Sequence, residues 1–301
     1  MLKNNKSFAE FAKSIGQDTQ VLSAISEYLD FTNRNKILKK ALILCGFPKL
    51  GNTWLRLIYQ HLIYVGTNAK FNTTLTYTQL NNLQPNNDFP YALTRGDFRE
   101  PLEKQQGQFP VLFHSHAIAD NSWKSFGNIA FVYRNPLDAL LSIWYATVEF
   151  VAETRGYISV NTIVLDRLDG WCNMWKRIAN WQIVLSNTKT QRSNPNIVIS
   201  GALKNWSVDF TTNNLDHAIS LSDFTSIRRM EESSGEYHGH RELNPMLKYE
   251  QLTPWVTKPN VRFTRSRKTG QWEKELKSST VNQAITLMKN QGINPIGWGI
   301  Q

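Results

Sequence analysis

Two cysteines in 301 residues are too few for a disulfide framework. Cys45 lies inside the apolar run Ala41 to Cys45, which fits a buried thiol in a reducing compartment. Also missing is any charge-free apolar stretch of about 18 residues, the length a membrane-crossing helix needs. The opening segment, MLKNNKSFAEFAKSIGQ, lacks an apolar core of signal-peptide type. The expectation is a soluble, unanchored, cytoplasmic protein without a membrane partner. No internal repeat appears, and no heptad pattern announces an oligomer. Acidic residues are in short supply, 24 against 34 Lys and Arg, for a formal charge of +10. Such a surface attracts anions: nucleotides, nucleic acid, sulfated or phosphorylated substrates, or acidic lipid. Charge alone does not choose among them.

What is present is an ordinary globular mix, 41% hydrophobic and 12% aromatic with ten tryptophans, long enough to bury a full core. The expected organisation is an N-terminal helical arm over residues 1–35, with Phe8, Phe11 and Ile15 at helical spacing, followed by one α/β domain over 36–301. Four short apolar runs read as buried strands: Ala41 to Cys45, Val111 to Phe113, Ile129 to Tyr133, and Ile197 to Ile199. Helical patterns follow two of them. Leu55, Ile58, Leu62 and Val65 mark the first, ending near Gly66. Leu137, Leu140, Leu141, Trp144, Tyr145 and Val148 mark the second. Asn135-Pro136-Leu137-Asp138 supplies the second helix with an N-cap, a proline at its first position and an acidic third residue. Trp171, Met174, Trp175, Ile178 and Leu185 form a further stripe that reads as core. The polar segments 67–110 and 186–196 read as long loops, the first able to roof a substrate site. Alternating strands and helices predict an α/β fold with a central parallel sheet flanked by helices, and ligands bind such sheets outside the carboxyl ends of the strands.

Three sets of residues lie just past those ends. The first is GFPKLGNTW, residues 46 to 54, which keeps Gly46, Gly51 and Thr53 at the spacing of a phosphate loop but has Asn52 where the lysine belongs and Lys49 three residues early. This arrangement suggests a nucleotide whose 5′ end differs from that of ATP. The second set is His114-Ser115-His116, and the third is Arg134 with Ser142 eight residues on. No strand end is followed at once by Asp or Glu, where a Mg²⁺-dependent kinase or hydrolase wants one. A P-loop phosphotransferase using ATP is therefore the weaker enzymatic alternative. A non-enzymatic module binding nucleic acid or another polyanion is a third reading, less well suited to specific groups gathered at strand ends. His114 and His116 have the spacing of same-side strand residues, and His238 and His240 repeat it. Neither pair has a cysteine or a clear third ligand nearby, so no metal is expected.

FPKLGNTW, FHSH and VYRNPLDALLSIWY, followed far downstream by RSRKTGQW, resemble in that order four motifs of the cytosolic-type sulfotransferases that use 3′-phosphoadenosine 5′-phosphosulfate. The family forms read P-K-S-G-T-T-W, K-T-H, R-N-x-x-D-x-x-x-S and R-K-G-x-x-G-D-W. The matched motifs span residues 46–272. The resemblance implies a P-loop-like sulfotransferase architecture and transfer of a sulfuryl group from that donor, without metal, to an acceptor hydroxyl or amine on a small molecule, carbohydrate or peptide. Adenosine 3′,5′-bisphosphate would be the product. It implies that Lys49 reaches the bridging oxygen, where charge accumulates as the S–O bond breaks. Gly51, Asn52 and Thr53 would hold the 5′-phosphate with the start of the next helix, and Trp54 would cover the adenine.

Arg134 and Ser142 would take the 3′-phosphate, joined by Arg265, Arg267 or Lys268. His116 matches the histidine of the second motif and would serve as general base, since an imidazole titrates near pH 6.5. SDFTSIRR resembles the family's later adenine segment, with Phe224 as a ring contact and Ser222 as a weaker polar one. The chain departs from the pattern at His114, which replaces a lysine, and in the last motif, where Ser266 and Arg267 stand at the family's lysine and glycine. It departs also after the fourth strand, where a Tyr-Glu-Asp-type segment is absent and KYEQL occurs later.

Overall fold

A computed structural model describes residues 19–35, 41–67, 74–84, 87–88, 103, 109–116, 127–150, 159–179, 185–187, 195–234 and 270–300. Within them, five strands form one sheet: β1 (Ala41–Cys45), β2 (Asn87–Asp88), β3 (Leu112–Ser115), β4 (Gly127–Tyr133) and β5 (Leu185–Asn187). Their order is β2-β3-β1-β4-β5, and every pairing is parallel. Strand β1 is central and wholly buried, as befits a continuous apolar run covered on both faces. The register pairs Ile43 with Phe113 on one side and with Ile129 on the other. The chain leaves β1 toward β3 and returns past it to β4, so the order reverses around β1. The crevice of a doubly wound sheet opens at that reversal.

Helices α1 (Thr19–Arg34), α2 (Asn52–Thr67), α3 (Tyr77–Leu83), α4 (Pro136–Phe150), α5 (Val160–Ala179), α6 (Pro195–Asn205), α7 (Thr212–Leu221), α8 (Phe224–Ser234), α9 (Trp272–Glu275) and α10 (Ser278–Asn290) flank the sheet, with a 3₁₀ turn at Ile296–Trp298. One group packs α2 on α3 and α7, and another packs α5 on α4 and α10. Helix α1 meets the core through Tyr28, 3% exposed, whose ring lies edge-on to Phe113 at 6.1 Å. Phe8, Phe11 and Ile15 fall outside the described residues. No helix among the described residues is long and apolar enough to cross a membrane.

Two expectations are corrected. Ile197 to Ile199 is not a strand but part of α6, and Ile197 is 72% exposed. A short β-branched run cannot be told from a helix segment by periodicity alone, and Pro195 at the first helical position carries the missing signal. The real fifth strand is β5, Leu185–Asn187. Leu185 therefore does not continue the tryptophan stripe, whose helix stops at Ala179. The segments read as loops hold α3 and β2 within 67–110, and β5 and the start of α6 within 186–196.

The rest of the stripe is core. Trp171 is fully buried and stacks on Trp175 at 6.0 Å, and Trp298 meets Trp171 at 4.9 Å and Trp175 at 4.7 Å, both edge-on. Rings this close leave no space for a ligand between them.

Candidate active site at the strand ends

The loop after β1 is shaped by backbone conformations that L residues rarely take. Lys49 has φ +66° and Gly51 has φ +118°. The second lies where only glycine is comfortable; the first is a left-handed lysine, held at a cost of about 1–2 kcal/mol. Leu50, fully buried between them, anchors the loop in the core. Gly46 opens it by donating its N–H to the Ser115 carbonyl at 3.1 Å, which extends the β1–β3 ladder by one step. A side chain at Gly46 would lie 2.7 Å from Asn52 Oδ1 and 3.1 Å from the Val132 carbonyl oxygen. The missing Cβ is what lets the Asn52 carboxamide fold over the loop entrance. That carboxamide is 7% exposed, and neither its Oδ1 nor its Nδ2 has a hydrogen-bond partner among the described residues. Leaving a buried amide unsatisfied costs about 1–3 kcal/mol per group, so its polar atoms suit a ligand with both donor and acceptor needs.

His116 follows β3 directly and is exposed. Its Nδ1 stands 2.8 Å from the Gly46 carbonyl oxygen. A carbonyl can only accept, so Nδ1 carries the proton and Nε2 keeps its lone pair in the neutral ring. His114, two residues earlier on β3, sets its ring edge-on to His116 at 5.7 Å. Among the described residues no group of three His, Cys, Asp or Glu side chains could hold a metal ion. His238 and His240 lie outside them.

The corner past β4 is built on the N-terminus of α4. Asn135 caps it as expected, its Oδ1 accepting from the N–H groups of Leu137 at 2.9 Å and Asp138 at 3.2 Å. The Asn135 Nδ2 donates to the Trp298 carbonyl at 2.7 Å, which ties the C-terminal turn to this corner. Arg134 places a terminal guanidinium nitrogen 4.0 Å from the carboxylate of Asp138, the two side chains being 13% and 4% exposed. Both oxygens of Asp138 accept the Gly270 N–H, at 3.0 and 2.9 Å. Ser142 is half-buried one turn beyond Asp138. Arg265, Ser266, Arg267 and Lys268 lie outside the described residues.

A third group assembles on α2. Trp54 Nε1 donates to the Ser222 carbonyl at 2.9 Å, joining residues far apart in the chain at the turn that precedes Phe224 and α8. The Ser222 side chain is fully buried and meets His61 Nδ1 at 2.8 Å, so it faces the interior rather than a ligand. His61 is itself fully buried; Nδ1 also lies 3.0 Å from the Leu57 carbonyl, and Nε2 accepts the Leu75 N–H at 3.3 Å. Burial pushes its pKa down to about 4, opposed by the Leu57 carbonyl and helped by His217. Sequence reasoning passed over His61 and gave Asp138 only a capping role. The signal for His61 was its position seven residues after Trp54, two turns along the same helix.

A parallel α/β sheet whose order reverses at a glycine loop leading into a helix defines a protein of phosphate-loop type. The sulfotransferase domain family matches residues 39–196, more than half of the chain, and the chain belongs to that family. It is a sulfotransferase, the enzyme class that the four motifs resemble. Cytosolic sulfotransferase 17 of Arabidopsis thaliana is 21% identical over 272 residues, covering 82% of this chain and 72% of that protein. Mouse sulfotransferase SULT7A1, solved with PAP, superposes with a TM-score of 0.56 at 12% identity over 84% of this chain and 83% of that one. Retinol dehydratase, solved with retinol and PAP, gives 0.50 at 10% identity over 88% and 85%. At such identities the likeness speaks for the fold alone.

Proposed function

We propose that this sulfotransferase moves a sulfuryl group from 3′-phosphoadenosine 5′-phosphosulfate to an acceptor hydroxyl or amine by in-line transfer, leaving adenosine 3′,5′-bisphosphate. The observation that carries the reading is the 2.8 Å contact between His116 Nδ1 and the Gly46 carbonyl oxygen. With Nδ1 committed to the carbonyl of Gly46, the first residue of the loop that holds Lys49, Nε2 is the basic atom of the neutral ring.

The residues present fit the donor. The buried, unpartnered Asn52 carboxamide, folded over Gly46 where a Cβ would stand, suits a phosphate group lying against the loop. When bound, the donor supplies a sulfuryl group joined to phosphate through one bridging oxygen. Lys49 steadies negative charge on that oxygen, which is why the lysine comes early: no γ-phosphate lies beyond. Gly51, Asn52, Thr53 and the first amides of α2 hold the 5′-phosphate. Trp54 and Phe224 flank the adenine, and Arg134 and Ser142 take the 3′-phosphate with Arg265, Arg267 or Lys268 beside them. His116 Nε2 accepts the acceptor's proton. The PAP bound in both structural neighbours supports the nucleotide, and the retinol bound in one of them supports a small-molecule alcohol as acceptor. The name of the Arabidopsis relative supports a cytoplasmic location.

The test is His116→Ala. It is expected to keep affinity for adenosine 3′,5′-bisphosphate in calorimetry without Mg²⁺ while turnover falls roughly 100-fold to 10,000-fold. Wild-type turnover in that variant removes His116 from the mechanism.

A further inference from the structure

Asp138 is a puzzle in electrostatics. A pocket meant to attract a phosphate gains nothing from a carboxylate in its wall, yet Asp138 is buried, 4% exposed, within 4.0 Å of the Arg134 guanidinium. Its charge is supported there by the N-terminal end of α4, by Arg134 and by the Gly270 N–H, which both its oxygens accept. Gly270 has φ +74°, a conformation open to glycine that turns its peptide toward α4. One buried anion thus meets two groups at the corner past β4: it takes a hydrogen bond from the backbone of Gly270 and stands at ion-pair distance, 4.0 Å, from the side chain of Arg134.

We propose that Asp138 is a positioning residue for recognition of the nucleotide's 3′-phosphate, holding the Arg134 fork and the Gly270 peptide in the arrangement that receives it. The inference rests on the proposed donor. An arginine side chain free to rotate loses freedom when it binds, and one already held by a carboxylate loses less. Asp138 gives up some attraction in return for that order. Helix α4 grips the C-terminal segment at two further points, Asn135 Nδ2 on the Trp298 carbonyl and Tyr145 Oη on the Glu275 carboxylate. Loss of Asp138 therefore removes the hold on Gly270 and leaves these two contacts in place.

The experiment is calorimetric titration of the full chain with adenosine 3′,5′-bisphosphate and, separately, with adenosine 5′-monophosphate, which lacks the 3′-phosphate. The ratio of the two dissociation constants does not depend on the folded fraction. In Asp138→Ala the preference for the bisphosphate is expected to fall roughly tenfold or more, as for a lost hydrogen bond to a charged group, with monophosphate affinity kept within about twofold. An unchanged ratio, or an equal loss for both nucleotides, overturns the proposal. If the alanine variant does not fold, Asp138→Asn is read by the same ratio. An intermediate loss is expected there, because one amide oxygen still faces Gly270, and an unchanged ratio again overturns the idea. A wild-type protein that does not distinguish the two nucleotides refutes the donor assignment itself, and the role of Asp138 falls with it.

Discussion

His61 ties the stability of the corner where Trp54 meets Ser222 to pH. The ring is fully buried on α2, touches the turn that receives Trp54, and accepts the Leu75 N–H, so its protonation would break a hydrogen bond and bury a charge. Its pKa of about 4 in the folded protein compares with the ordinary 6.5. The group is depressed on folding, so its contribution is complete above about pH 6.5, where both states are neutral. It is lost as pH falls toward 4, because the unfolded chain takes the proton first. At about 1.36 kcal/mol per pKa unit the whole effect is roughly 3 kcal/mol, and about 2.5 kcal/mol of it is gone by pH 4.5. That is a large share of the 5–15 kcal/mol or so typical of a domain.

Urea denaturation at several pH values between 4 and 7.5 measures it. Carboxylates titrate in the same range, so the informative quantity is the difference between wild type and His61→Asn, which cannot titrate and retains a donor where Nδ1 stands. The variant is expected to be less stable at pH 7.5 and to close most of the gap by pH 4.5. Parallel curves, with a gap constant across the window, would refute the reasoning.

Two further outcomes are expected. Lys49→Gly removes a left-handed lysine, which relieves about 1–2 kcal/mol of backbone strain and adds about 0.5–1 kcal/mol of chain entropy cost, so thermal stability should hold or rise slightly. On the role proposed for Lys49, turnover should fall at least roughly 100-fold; a melting temperature several degrees lower with unaltered turnover would contradict both halves. Cys45 and Cys172 are buried, Cys45 raised far beyond the ordinary thiol and Cys172 pushed up to about 11, both chiefly by burial. An Ellman titration should find two slow thiols in the native protein and two fast ones in guanidinium, and rapid native labelling would place one at the surface.

Local features were legible in the chain. The run ALILC, bounded by Gly46 and a basic segment, reads as a covered strand, and β1 has those bounds. Asn-Pro-Leu-Asp announces the start of α4 because cap, proline and acidic residue each act within one turn. The glycine spacing marked the loop itself, while the left-handed backbone at Lys49 and Gly51 came from the structure. Where several conformations satisfy the same local pattern, reading failed: IVI suits strand or helix equally, and Leu185 continued a periodicity that the chain abandons at Ala179.

Sequence by itself determined the strands that matter, the loop between Gly46 and Trp54, and the family, since backbone preference and side-chain chemistry are properties of a few adjacent residues. Only the tertiary structure decided that Gly46 fixes the tautomer of His116, that Trp54 reaches Ser222 and that Asp138 holds Gly270. Each of these contacts joins positions between 70 and 168 residues apart, and a hydrogen bond depends on angle and on distances of about 3 Å that no local pattern encodes.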